Sequence, residues 1–152
     1  MIQVHSGIYV GTVAELSNWN GKYLAAAKEP CHRQALGYTG RGAPKEHKEY
    51  LVALRGAGMI LNLVDGETPD WIDKGMIRQA LDWITSEPET LIVCNQGQSR
   101  SPSIAFMWML RQGLIKADTF GEAERAFEEV YKNYRPANGI RAFSKMFFEE
   151  LK

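Results

Sequence analysis

The chain has few cysteines, no net charge and no long apolar run, and each of these absences excludes a class of protein. Its 152 residues include only two cysteines, Cys31 and Cys94, so a disulfide framework is excluded. Basic and acidic residues number 18 each, so no overall charge favours nucleic acid or a membrane surface as partner. No apolar stretch could span a bilayer, and no secretory signal pattern is visible. We therefore expect a single domain over residues 1–152, located in the cytoplasm, where thiols stay reduced.

The stretch from Leu91 to Ser103 organises the rest of the chain. It opens with a short apolar run that ends at Cys94 and is typical of a strand. A polar loop with a central glycine follows. Pro102 suits the first turn of a helix, and residues 104–110 are apolar nearly all round, which predicts a buried helix. The predicted order is therefore strand, tight polar loop and buried helix.

That order favours an anion site. The N–H groups of a loop and of a helix start can converge on one bound group, and Gly97 lets the backbone approach it closely. Arg100 has a planar fork that matches two phosphate oxygens. Cys94 starts the loop, where these positive groups would favour a nucleophilic thiolate, and Ser101 could donate a hydrogen bond to its sulfur. The predicted phosphate-binding residues are Asn95, Gln96, Gly97, Gln98, Ser99 and Arg100.

The spacing of Cys94, five residues, Arg100 and Ser101 resembles the phosphate loop of the cysteine-dependent protein tyrosine phosphatases. Gly97 and the sequence after Arg100 are most similar to the dual-specificity branch. The resemblance extends from Ile8-Tyr9-Val10-Gly11 near the start to Arg135-Pro136 and Asn138-Gly139 before the last helix. It implies a metal-independent hydrolase without a cofactor, which forms a cysteinyl phosphate during turnover. A buried core cysteine followed by a helix cap is the structural alternative.

The sequence also departs from the family pattern. Val93 stands where most members have histidine, so one usual support of the thiolate is missing. Valine before the cysteine is also similar to the low-molecular-weight tyrosine phosphatases, but those have the loop near the N-terminus and the acid near the C-terminus. Rhodanese-type sulfurtransferases have a shorter loop between cysteine and arginine. We therefore expect neither of these families.

Strands and helices alternate along the chain, which predicts an α/β fold with three layers: a mostly parallel central sheet flanked by helices. The resemblance implies the dual-specificity phosphatase type of this fold. Strands are expected at Ile8–Val10, Lys22–Ala27, Met59–Val64 and Leu91–Cys94, and helices at Glu46–Ala57, Trp71–Thr85, the stretch after Pro102, the stretch after Thr119, and the stretch from Ile140. Thr119 and Glu122 form a predicted capping box. Ligands bind at the carboxyl ends of parallel strands, where both Asp65 and Cys94 lie.

A leaving alkoxide or phenoxide requires a proton, so a general acid is expected near Cys94. Asp65 is the first candidate, because it lies 29 positions before Cys94 at the end of a predicted strand. The resemblance implies an acid at about this separation. Asp70, on the same loop, is the rival, and Asp73 is a more distant alternative. Asp65 could instead be a turn residue, since Asp-Gly is a turn signal.

Residues 28–45 are the least informative part of the sequence. Their glycines and prolines predict a long loop, which either rims the anion site or is a solvated insertion. Cys31 and His32 are too few to close a metal site, and no metal is expected elsewhere. The residues expected at a substrate rim are His32, Arg33, Asp70 and Asn138.

The leading functional hypothesis is a phosphatase acting on protein phosphotyrosine, and also on phosphoserine or phosphothreonine. Its expected ligands are a phosphorylated protein or small phosphate ester and the oxyanions phosphate, sulfate, tungstate and vanadate. The first alternative is a phosphatase for a nucleotide, an RNA end or a phosphoinositide, although the loop has no lysine to favour a highly charged inositide. The second is a phospho-binding module that turns over little or not at all. A membrane is not expected as a partner, and nucleic acid is disfavoured.

Overall fold

The computed structural model describes all residues from 1 to 152 and contains one six-stranded sheet. Its strands in chain order are β1 (Ile2–His5), β2 (Ile8–Thr12), β3 (Lys22–Ala26), β4 (Val52–Arg55), β5 (Gly58–Leu61) and β6 (Thr90–Cys94). Across the sheet the order is β1-β2-β6-β3-β5-β4. The strand that ends at Cys94 therefore lies in the interior of the sheet.

Parallel pairing dominates the middle of the sheet. β6 pairs in parallel with both β2 and β3, and β3 pairs in parallel with β5. The two edge strands are antiparallel, because β1 pairs with β2 and β4 pairs with β5. The expected mostly parallel α/β sheet is confirmed, with an antiparallel hairpin at each edge.

Most helical structure packs on one face of the sheet. The helices are α1 (Arg33–Leu36), α2 (Lys74–Trp83), α3 (Arg100–Arg111), α4 (Phe120–Val130) and α5 (Asn138–Leu151). Every residue from 101 to 110 of α3 is buried, which confirms the burial predicted for residues 104–110. Thr119 caps α4 by accepting a hydrogen bond from the Glu122 N–H, which confirms the predicted cap. None of these helices combines the length and the apolar character that crossing a membrane requires.

The two faces of the sheet carry cores of very different size. The face covered by α2 to α5 holds 33 buried residues. The opposite face holds five, and short elements cover it: a 3₁₀ helix at Val13–Asn18, a π-type turn at Lys28–His32, and α1. The third layer of the fold is therefore thin.

The predicted helix at Glu46–Ala57 is wrong. Residues 44–50 form turns, and Val52–Arg55 is strand β4, which forms a hairpin with β5 around Gly56. Gly56 has φ +57°, a left-handed conformation that suits a tight hairpin turn. Tyr50, Leu51 and Leu54 do have helical spacing. The stretch nevertheless forms a strand, because β4 pairs with β5, whose residues are all buried.

Candidate active site

A polar cavity of about 330 Å³ opens at the carboxyl end of β6. A volume of this size suits a small ligand group. It brings together Asp65, from the segment after β5, and the loop that links β6 to α3. The lining residues are Asp65, Cys94, Asn95, Gln96, Gln98, Ser99, Arg100, Arg135 and Ala137.

Cys94 lies at the floor of the cavity and is only 2% exposed. Its Sγ lies 3.1 Å from the Ser101 hydroxyl oxygen. The same hydroxyl lies 3.3 Å from the Gly11 carbonyl oxygen, to which it can donate. Ser101 is fully buried, so its single proton has two available acceptors, the sulfur and the carbonyl. A hydroxyl so placed can stabilise a sulfur that carries negative charge.

Arg100 is held by side-chain and backbone groups on both sides of the cavity. Its Nη1 donates to the Leu63 carbonyl at 2.8 Å, and its Nη2 donates to Asn95 Oδ1 at 2.6 Å. Asn95 in turn donates from Nδ2 to the Glu29 carbonyl at 2.9 Å. The Arg100 Nε–H is buried and has no hydrogen-bond partner. Of the three guanidinium nitrogens, Nε is thus the one without a hydrogen-bond partner.

The loop from Asn95 to Ser99, called the phosphate loop below after the family feature that it resembles, contacts the connection between α4 and α5. Gly97 has φ +68°, a conformation that side-chain-bearing residues rarely adopt. The Tyr131 hydroxyl donates to the Gly97 carbonyl. Burial raises the pKa of Tyr131, so the phenol keeps the proton that it donates. The backbone N–H of Arg135 donates to the Gln98 carbonyl at 2.7 Å.

Asp65 lies in the cavity with Cys94 and Arg100, whereas its two rivals do not. The Ser99 hydroxyl donates to Asp65 Oδ1 at 3.0 Å, and Asp65 Oδ2 lies 3.8 Å from Arg100 Nε. Asp70 is exposed in a short 3₁₀ helix and does not line the cavity. Asp73 caps α2, because its Oδ1 accepts from the Met76 N–H at 2.8 Å. Of the three candidate acids, Asp65 alone lines the cavity.

The loop that carries Asp65 docks directly on the start of α5. The Gly139 N–H donates to the Gly66 carbonyl at 2.9 Å. A Cβ on Gly139 would lie 2.5 Å from the Thr68 carbonyl oxygen and 2.6 Å from that of Gly66, which is too close for any side chain. Asn138, predicted at the rim, donates from Nδ2 to Glu67 Oε2 at 3.0 Å on this same loop. Gly139 is therefore required for the close approach of the two segments.

The other residues predicted at the rim lie away from the cavity. His32 is fully buried, with Nδ1 3.1 Å from the Tyr38 hydroxyl and Nε2 2.9 Å from the Glu49 carbonyl. Arg33 forms an ion pair with Glu29 and donates to the carbonyls of its own loop. Contrary to the sequence expectation, His32 and Arg33 do not line the cavity, because hydrogen bonds and an ion pair within their own region occupy both side chains.

Segment 28–45 contacts the phosphate loop only near its start. Glu29 provides the carbonyl that accepts from Asn95, while the part from residue 37 onward is mostly exposed. Burial raises the pKa of the Cys31 thiol, and the charge of Arg100 acts in the opposite direction. Cys31 lines a separate apolar groove on the thin face of the sheet. No three of the His, Cys, Asp and Glu side chains cluster as a metal site would require.

Two further features of the site were not predicted from the sequence. Arg135 lines the cavity, and its guanidinium has one long contact, 3.4 Å, to the neighbouring Tyr134 carbonyl. Tyr131 supports the loop although its position at the end of a helix gave no signal of this. Arg135-Pro136 did resemble a family segment in the sequence. That resemblance did not predict that the Arg135 side chain would line the cavity.

Comparison with known proteins identifies the fold. No protein-family model matches the chain, and no curated protein matches its sequence. Solved structures do match, and the three that follow each have a TM-score of 0.63. A leucine rich repeat and phosphatase domain containing protein from Entamoeba histolytica is 16% identical, and the match covers 99% of this chain and 91% of that one. PTP-2 phosphatase of Cydia pomonella is 15% identical over 95% of this chain and 88% of its own. Human DUSP28 is 13% identical over 99% and 97%.

These matches span nearly the whole chain, and they include the sheet and the helices that hold the cavity. Identities this low carry information on fold alone. The chain therefore has the dual-specificity phosphatase fold, the fold that the resemblance of Cys94 to Ser101 implied.

Proposed function

We propose that this protein is a phosphatase that hydrolyses phosphate monoesters through a cysteinyl-phosphate intermediate. One observation carries the proposal: Cys94, Arg100 and Asp65 line a single cavity, with a thiol, a guanidinium and a carboxyl group as their side chains. These are the three groups that phosphoryl transfer to a thiol requires, namely a nucleophile, a charge-stabilising cation and a proton donor.

In the first step, the Cys94 thiolate attacks phosphorus and the bond to the ester oxygen breaks. The S–P bond forms, and the electron pair of the broken P–O bond stays on the leaving oxygen. Asp65 transfers its proton to that oxygen, so an alcohol or phenol departs and Asp65 becomes a carboxylate. Arg100 faces the equatorial oxygens of the transferring group, where negative charge is concentrated.

In the second step, water attacks the cysteinyl phosphate. The Asp65 carboxylate takes a proton from the water, and the S–P bond breaks with its electrons returning to sulfur. Ser101 supports this step, because its hydroxyl oxygen lies 3.1 Å from Sγ and can stabilise the departing thiolate. Inorganic phosphate and the original protonation states result, so the cycle needs no cofactor.

The leading substrate class is phosphorylated protein, with phosphotyrosine first and phosphoserine or phosphothreonine next. One observation favours a second candidate, a small polar phosphate ester such as a nucleotide, an RNA end or a phosphoinositide. Polar side chains dominate the cavity wall, which has no aromatic residue and includes a second arginine, Arg135. Amides and a guanidinium suit hydroxyls and charged groups better than they suit a phenyl ring.

The test of the mechanism is Cys94→Ser. We expect the wild type to hydrolyse p-nitrophenyl phosphate and to stay active after treatment with a chelator. The serine variant should lose turnover, because a hydroxyl ionises far less readily than a thiol. It should still bind phosphate or tungstate in calorimetry, because Arg100 and the loop remain. Appreciable hydrolysis by the pure variant would contradict the covalent mechanism. Binding without hydrolysis by the wild type would indicate a phospho-binding module.

The test of the acid compares Asp65→Asn with Asp70→Asn. Asp65→Asn should lower kcat by about 10²–10⁴-fold on an ester with a poor leaving group, which is the usual contribution of a positioned acid. The loss should shrink on p-nitrophenyl phosphate, whose phenolate leaves without assistance. The kcat of Asp70→Asn should fall much less on either ester. The reverse pattern would assign the acid to Asp70 and leave Asp65 as a turn residue.

The test of the substrate class compares phosphotyrosine and phosphoserine peptides with nucleotides, 5′-phosphorylated RNA and inositol phosphates. A higher kcat/KM for the peptides supports the leading candidate. A higher value for one of the small polar esters would replace it with the second.

A further inference from the structure

The hydroxyl of Ser99 connects three parts of the site. Ser99 is 8% exposed and lies at the end of the phosphate loop, just before Arg100. Its Oγ donates to Asp65 Oδ1 at 3.0 Å. The same Oγ accepts from the Ala137 N–H at 2.8 Å. One buried hydroxyl thus links three segments: the phosphate loop, the loop after β5 that carries Asp65 (the acid loop), and the start of α5.

The number of available protons fixes the direction of these hydrogen bonds. A serine hydroxyl has one proton to donate, and a backbone N–H can only donate. Because the Ala137 N–H points at Oγ, the Ser99 proton is free to point at Asp65 Oδ1. If Oδ1 were itself protonated and donated to Oγ, the buried Ser99 proton would lose its partner, which costs free energy. Oδ1 is therefore the oxygen that stays unprotonated.

The other carboxyl oxygen, Oδ2, lies on the side of Arg100. Asp65 Oδ2 lies 3.8 Å from Arg100 Nε, the nitrogen whose N–H is buried without a partner. Arg100 is also the residue that the mechanism places against the phosphoryl group. Asp65 and Arg100 line the same cavity, so a proton carried on Oδ2, the oxygen that Ser99 leaves free, is available within that cavity.

We propose that Ser99 is a positioning residue that directs the catalytic proton of Asp65 to Oδ2. The proposal rests on the proposed phosphatase function and adds to it the residue that orients the acid. The orientation is stabilised by α5, because the Ala137 N–H immediately precedes that helix, whose inner face is buried in the main core. Geometry of this kind matters for catalysis, since small misplacements of a reacting group cause large rate losses.

The experiment compares Ser99→Ala with Ser99→Thr on a series of esters from p-nitrophenyl phosphate to an alkyl phosphate. Ser99→Ala should lose about 10- to 100-fold in kcat on the alkyl ester, a part of what a positioned acid contributes. It should lose little on p-nitrophenyl phosphate. Ser99→Thr retains a hydroxyl on the same carbon and should restore most of the rate on the alkyl ester. KM should change less than kcat throughout.

A structural role for Ser99 would give a different pattern. Damage to the phosphate loop would lower the rate equally for every leaving group and would weaken tungstate binding. Tyr131→Phe is the matched control, because it removes a loop hydrogen bond that does not involve Asp65, and its loss should be independent of the leaving group. An equal loss across the series in Ser99→Ala, or no rescue by threonine, would overturn the proposal.

The double variant Asp65→Asn, Ser99→Ala provides a second test. If Ser99 acts through Asp65, its removal should cause little further loss once the acid is gone. Fully multiplicative losses on the alkyl ester would overturn the proposal while leaving the phosphatase function intact. A wild type that hydrolyses no ester in the series would overturn both together, so the two failures are distinguishable.

Discussion

The phosphate loop is supported in two different ways on its two sides. Behind it lies the α4–α5 connection, residues 131–139, which contacts three successive loop residues through a phenol and two backbone N–H groups. In front lies the turn segment, residues 28–36, which reaches the loop through one bond from Asn95 Nδ2 to the Glu29 carbonyl. The two sides differ in the number of contacts and in what holds those contacts in place.

The α4–α5 connection is anchored between two helices whose inner faces are part of the main core. The turn segment lies on the thin face and is held mainly by side chains that are partly exposed, such as Arg33 and Lys28. Regions with few buried apolar contacts open at lower free energy than regions in the core. We therefore expect catalysis to depend on the rear contacts, and the turn segment to tolerate change. The four predictions below test that difference.

The largest effect is expected for Gly139→Ala. A Cβ at this position would meet two backbone carbonyl oxygens of the acid loop at 2.5 and 2.6 Å, and neither can move without shifting that loop. We expect a loss of about 1–3 kcal/mol in the free energy of unfolding, measured by urea denaturation, together with a loss of kcat. The control is Gly121→Ala in α4, where the nearest atom is the Arg125 Nη1 at 3.6 Å. That variant should be neutral or slightly more stable. Equal behaviour of the two variants would contradict the close packing of the acid loop on α5.

A loss of stability of similar size, but without displacement of the loop that carries Asp65, is expected for Tyr131→Phe. The change leaves the Gly97 carbonyl without its phenol donor at a buried position. An unsatisfied buried acceptor costs about 1–3 kcal/mol, which thermal or urea unfolding would detect. The rate on p-nitrophenyl phosphate should fall as well, because the loop carrying Gly97 loses support. Unchanged stability and rate would show that the rear hydrogen bond contributes nothing to the loop.

The third prediction concerns His32 in the turn segment and the pH dependence of the free energy of unfolding. Burial lowers the pKa of His32 below its usual value of 6.5. The unfolded chain then binds a proton more readily than the folded chain, so this residue lowers the stability as the pH falls through 6.5. From about pH 7.5 to about pH 5.5, His32→Gln should lose less free energy of unfolding than the wild type. An identical pH dependence in both proteins would contradict the assignment. Activity at neutral pH should be nearly the same in the two.

The smallest effect is expected for Arg33→Ala. Its guanidinium pairs with an exposed Glu29 and with loop carbonyls, and exposed pairs contribute at most about 1 kcal/mol. The free energy of unfolding should therefore change by less than about 1 kcal/mol, and kcat/KM on any phosphate ester should stay near the wild-type value. A large loss of activity would place Arg33 at the substrate after all and would remove the functional difference between the two sides.

What the sequence predicted correctly depends mostly on local patterns. The run from Leu91 to Leu110 specifies its own strand, loop and buried helix, and the Thr119 cap is a three-residue signal. The position of Asp65 in the cavity was predicted from its place at the end of an expected strand; β5 ends earlier, at Leu61, but the segment after it still carries Asp65 to the cavity. These features need no knowledge of distant partners.

What the sequence did not predict depends on contacts between distant segments. The stretch that forms β4 has helical spacing, and only its pairing with β5 makes it a strand. His32 has an ordinary loop sequence around it, and its burial depends on the Glu49 carbonyl, 17 residues away. Tyr131 meets Gly97 across 34 residues. None of these contacts has a local sequence signature.

The position of β6 in the sheet has a consequence for the order of folding. β2 and β3 are close in sequence but are not neighbours in the sheet, because β6 lies between them, with Thr90 opposite both Ile8 and Lys22. The strand that ends at Cys94 must therefore enter a gap between two segments synthesised long before it, and closing such a long loop is slow. We expect the nascent chain to remain without a continuous sheet until residues 90–94 are in place. The cavity consequently cannot exist in any intermediate that lacks this strand.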